Sequence, residues 1–155
     1  MSMIAQTPVA TSRFASFKMA LIANFIWINV SEVFRYFVFV MPMMRDAFPM
    51  VPDVAPMNLP VFMIWGFWDT VMVLTATVLP WMAMRVFGAC AFRAVLYGTG
   101  VWLAVFVILW LGLYNMNMAT LGILAIALPL AWVEMVVASL IVWWLIPLNT
   151  RLAST

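Results

Sequence analysis

Four apolar runs, over residues 18–41, 61–85, 94–114 and 121–146, leave this chain one class of fold. Each is long enough to cross about 30 Å of hydrocarbon as a helix rising about 1.5 Å per residue. In lipid a backbone must satisfy its own polar groups, which for runs of this length means helices. Of 155 residues, 68% are hydrophobic and 8% charged, more apolar surface than a soluble domain of this size can hide. Little chain remains between the runs. The reading is therefore all-α: a single transmembrane domain over residues 1–155, built as a four-helix bundle.

The connections set the orientation. Residues 42–60 carry Pro42, Pro49, Pro52, Pro56 and Pro60, which forbid a continuous helix and predict a loop. That loop also holds Met43, Met44, Met50, Val51 and Met57, so it should lie on the membrane interface or cap the bundle. Asn115 to Asn117 marks the turn between the third and fourth helices. Pro80 and Pro129 should kink the second and fourth. Ala94 and Gly98 form a small-xxx-small pair that permits close helix approach. Arg13, Lys18, Arg85, Arg93 and Arg151 flank one side of the runs and Arg45 alone the other, which places both termini in the cytoplasm by the positive-inside rule. A prokaryotic inner membrane is the expected location.

Absences narrow the chemistry. With no histidine, a bis-His haem site, a His-based zinc site and a His proton relay are excluded within this chain. Cys90 is alone, so dithiol chemistry is excluded as well. The only lysine, Lys18, lies at a membrane edge, where a mid-membrane Schiff base does not form. A net charge of +2 gives no reason to expect a nucleic-acid partner. The partners in view are the lipid bilayer, further copies of the chain, or a larger membrane complex.

The first run breaks the rule that membrane helices avoid charge. At about 100° per residue, Glu32, Tyr36, Asn29, Arg35, Asn24 and Ser31 share one face about 160° wide. A buried Glu or Arg opposes insertion by about 2.5–3.5 kcal/mol, while each good apolar residue returns about 0.3–0.6 kcal/mol. This helix is marginal alone and needs polar partners on the others. Counted from their helix ends, Glu32, Asp69 and Glu134 fall about 14–20 Å below the 42–60 side, with Arg35 at the outer rim of the site. Asn29, Tyr36, Thr70 and Ser139 could join them. Three carboxylates and one guanidinium cannot all stay charged cheaply inside a bundle, so a proton or a cation should enter. The competing reading is a structural ion pair plus two acids that fix helix packing.

Two other patterns are weaker. Met41, Met43, Met44, Met116 and Met118 map to one side and carry soft thioethers suited to Cu(I), but Met is more often a flexible apolar filler. Trp65 and Trp68 flank Asp69 and could box a cationic ligand, although interfacial belts account for most membrane Trp. Small multidrug transporters also have four helices and an acid in the first. The similarity is one of size and helix count, without their surrounding motif.

The leading expectation is a proton- or cation-coupled transporter or small-ligand binder working through Glu32, Asp69 and Glu134, with Arg35 as counter-charge. The alternatives are an accessory or assembly subunit of a membrane complex, and copper handling. No cofactor is favoured. No nucleophile–base pair stands out, which leaves an enzyme as the last reading.

Overall fold

The computed structural model describes residues 9–147, with side chains from residue 14. Arg13 and Arg151, used above for orientation, therefore lie outside the described side chains. Four helices among the described residues are long and apolar enough to cross a membrane, and no strand occurs among them. They are α1 (residues 9–47), α2 (Leu59–Phe87), α3 (Ala91–Asn115) and α4 (Leu121–Leu145). The chain is an all-α, multi-pass membrane bundle.

The first helix corrects the sequence reading. Pro42 does not end it. An α-helical stretch, Val9–Arg35, passes into one π-helical turn, Tyr36–Val40, and then into Met41–Ala47. The Met41 N–H reaches back to the Tyr36 carbonyl, so Pro42 falls in the first turn of a new α-helical run, where proline is tolerated. The loop shrinks to residues 48–58. Its Met50 is 91% exposed and Val51 50%, so it does not tuck these side chains under the helices as a cap. Asp53 and Ala55 take positive φ, and Arg45 donates to the Ala55 carbonyl at 3.3 Å.

The remaining ends follow local chemistry. Asn58 caps α2 by accepting from the Val61 N–H, with Pro60 in the first turn. Thr120 caps α4 by accepting from Ile123. Gly88 ends α2 at φ 99°, and Arg93 donates to the Phe87 carbonyl there. Asn117 turns the 116–120 connection at φ 57°, a conformation its short polar side chain tolerates. Both α2 and α4 run through their internal prolines, Pro80 and Pro129.

Helix α4 is the hub, packing against all three others. It approaches α3 tightly at Gly98, where a Cβ would sit 2.6 Å from the Met135 carbonyl oxygen and 2.8 Å from Val136 Cα. The small-xxx-small pair therefore does what its spacing permits.

Helices α1 and α2 pair in one antiparallel register. Asn24 donates to Thr77 Oγ1 at 3.0 Å, and the Tyr36 and Trp65 rings meet at 4.7 Å; in both pairs the residue numbers add to 101. The same register sets Ala20 opposite Trp81, Ile28 opposite Val73 and Glu32 opposite Asp69. The seam thus repeats every four residues: apolar, amide–hydroxyl, apolar, acidic, aromatic. Ile28 and Val73 share one core cluster, and Ala20 and Trp81 share another, in agreement with that ladder.

Candidate functional site

The four buried charged residues, Glu32, Arg35, Asp69 and Glu134, gather in one layer. Glu32 and Arg35 sit one turn apart on α1 and form an ion pair. Arg35 Nη2 also lies 3.8 Å from Glu134 Oε2. Ser31 donates to that same oxygen at 2.9 Å. The guanidinium carbon stands 4.7 Å from the centre of the Phe106 ring of α3, a cation–π arrangement that stabilises charge where water is scarce. Asp69 faces Glu32 across the α1–α2 register and feels the charges of both Glu32 and Arg35.

Burial of the layer is nearly complete. Glu134 is 0% exposed, Glu32 5%, and Arg35 and Asp69 6% each. Arg35 is not at an outer rim, as its position in sequence suggested. Its long side chain turns into the layer and lies between two acids. Hydrogen bonding inside the layer is incomplete: Asp69 Oδ1, Glu134 Oε1 and Arg35 Nη1 are buried and find no acceptor or donor among the described residues. A buried group left this way costs about 1–3 kcal/mol, more when charged. With three carboxylates and one guanidinium, the layer has a formal charge of −2 inside an apolar bundle.

The four further residues proposed for the layer do not bond to its acids. Asn29 donates to the Phe25 carbonyl at 2.8 Å and Thr70 to the Gly66 carbonyl at 2.8 Å, one turn back on their own helices. Backbone carbonyls are the nearest acceptors for short polar side chains on a helix in lipid. Tyr36 is half-buried against Trp65 and Phe37, just beyond the acids. Trp65 therefore stacks on aromatics, and Trp68 is 43% exposed on the bundle exterior; the two do not enclose Asp69 between them. Ser139 is fully buried on α4 without a hydrogen bond to the acids. Met41, Met43 and Met44 are half-buried at the end of α1, whereas Met116 and Met118 are exposed in the 116–120 connection.

Sequence reasoning missed Trp27. Its indole Nε1 donates to the Glu134 main-chain carbonyl at 3.0 Å, tying α1 to α4 at the level of the acids. Ser31 was visible on the polar face of α1, but its acceptor was not. The Asn24–Thr77 pair forms a second buried polar rung about 12 Å further toward the chain termini, at about 1.5 Å per residue.

Among the described residues no three acids converge in the manner of metal ligands. What the layer offers chemically is three buried carboxylates gathered around one arginine. No family model, curated protein or solved structure matches this chain.

Proposed function

We propose that this protein binds and exchanges protons at the Glu32–Arg35–Asp69–Glu134 layer and couples that exchange to movement of a small solute or cation across the membrane. One observation carries the reading: three carboxylates face one guanidinium in a layer where no member is more than 6% exposed. A formal charge of −2 at that depth is far costlier than the same layer with one or two protons added. Ionisable residues inside a membrane bundle mark ion and proton pathways more often than they stabilise a fold, which favours the proton over a purely structural role. Lys18, Arg85 and Arg93 lie at the end of the bundle that carries the termini and Arg45 at the other, which supports cytoplasmic termini in a prokaryotic inner membrane.

Purified full-length protein in liposomes loaded with a pH-sensitive dye tests the proposal. An imposed potential should drive dye-reported proton flux, and Glu134→Gln and Asp69→Asn should abolish it. Flux equal to that of empty liposomes, or unchanged flux in both variants, would refute it.

A second reading has its own observation. The α3–α4 face carries a trough of about 600 Å³, lined by Trp102, Leu124, Leu128, Pro129 and Trp132 and almost entirely apolar. Such a surface suits a partner's helix, as an accessory subunit would require. Loss of co-purifying membrane proteins on Leu128→Trp, with proton flux absent throughout, would favour it.

A further inference from the structure

The acid layer is bounded on both sides along the α1–α2 seam. Toward the termini the next rung is Ile28 and Val73, both buried. Toward the 48–58 loop the next rung is the Tyr36–Trp65 edge-to-face pair, with Phe37 beside it. Tyr36 follows Glu32 by four residues and Trp65 precedes Asp69 by four, so the pair sits directly over the two acids. Beyond it lies a recess of about 720 Å³, lined by Arg45, Asp53, Met57 and Asn58 among others.

The helices are irregular at this depth. The π-helical turn of α1 starts at Tyr36 itself. Helix α3 has its own π-helical turn, Leu103–Val107, which contains Phe106, the ring beneath Arg35. The Ser31–Glu134 pair sets the α1–α4 register, and in it the centre of the first π turn is level with residue 127 of α4. The Trp102–Leu128 and Trp132–Thr99 bonds and the contact of Gly98 with Met135 and Val136 bracket the α3–α4 register, and there the centre of the second π turn is level with residues 125 to 129. Pro129, which deprives the Ala125 carbonyl of its helical donor, is within about one turn. Three of the four helices therefore carry an irregularity at one level, two π turns and one proline inside a continuous helix, immediately on the loop side of the acids. π turns and prolines are where membrane helices bend.

We infer that the acid layer is reached from the loop side through the α1–α2 seam, and that Tyr36 and Trp65 form its gate, opened by bending of α1 and α3 at these π turns. This rests on the proton-exchange reading above. Arg35 links the two: its guanidinium is bound to Glu32 and Glu134 and rests on Phe106, so a change in the charge of the acids acts directly on the α3 turn. The charged and titratable groups facing the gate are Glu32, Arg35 and Asp69 below it and Arg45 above it.

A water-soluble carbodiimide, which modifies protonated carboxyl groups, tests the gate on full-length protein in lipid nanodiscs, with Glu32 and Asp69 read by peptide mass spectrometry. Loss of one edge-to-face aromatic contact shifts a closed–open balance by about two- to tenfold. Trp65→Ala should raise the modification rate at both acids by that factor, while Trp68→Ala, on the exterior, should not. Trp65→Leu, which keeps apolar bulk, should give a smaller rise in the same direction and serves if the alanine variant does not assemble. An unchanged rate in the Trp65 variants, or an equal rise in Trp68→Ala, overturns the gate. The proton reading fails separately, if modification of the wild-type acids does not fall as the pH is raised.

Discussion

Replacing Arg35 by methionine keeps an unbranched apolar stem and removes the guanidinium with its charge. In the native layer that charge sits in an ion pair with Glu32 and 3.8 Å from Glu134. Without it the formal charge of the layer goes from −2 to −3, and Glu134 keeps only the Ser31 hydroxyl as a donor. Breaking a buried pair from one side costs about 3–5 kcal/mol. Glu32→Gln should cost less, about 1–3 kcal/mol, because Arg35 still has Glu134 in reach. The two changes together should cost less than their sum by about 1–3 kcal/mol, since Arg35→Met has no Glu32 charge left to strand. Reversible unfolding of the full chain in lipid–detergent micelles measures all four corners of the cycle. Additivity within about 0.5 kcal/mol would mean that Glu32 and Arg35 do not depend on each other, and would refute the layer as an electrostatic unit.

Three more outcomes follow from the packing and the connections. Gly98→Ala should destabilise the bundle by about 1–3 kcal/mol, because its Cβ meets main chain of Met135 and Val136 that cannot move alone, whereas Gly100→Ala, with open space around it, should be neutral or mildly stabilising in the same unfolding assay. Reporter fusions after residue 147 and within the 48–58 loop should report opposite compartments, the former cytoplasmic; matching signals would overturn the topology. Changing Met43, Met44 and Met116 to leucine should leave Cu(I) binding at background; a low-micromolar affinity lost in that variant would instead establish a copper site.

Much of the architecture was legible in the sequence because hydrocarbon thickness leaves so little freedom. The number of spans and the shared layer of Glu32, Asp69 and Glu134 follow from counting residues, although the depth of Glu32 was counted from Pro42 and the helix runs on to Ala47. What counting cannot see is local rearrangement. Pro42 reads as a stop, yet a π turn before it lets the helix continue to Ala47. Asn29 and Thr70 have the right polarity for the layer, but a carbonyl one turn back is nearer than any partner helix. Arg35 looked shallow because a Cα depth ignores a side chain able to turn back on itself. The α1–α2 register was also hidden. It becomes visible only once Asn24 is known to meet Thr77, after which Glu32 opposite Asp69 follows without further choice.

The central claim is that the buried layer holds exchangeable protons. Infrared difference spectroscopy of the full chain in lipid, between acidic and alkaline buffer, measures this directly. The account predicts a protonated-carboxyl C=O band that weakens as the pH rises. The band should diminish in at least one of Glu32→Gln, Asp69→Asn and Glu134→Gln, and remain in Asp53→Asn, which alters only the exposed loop. A band absent at every pH, or intact in all three layer variants, would contradict it.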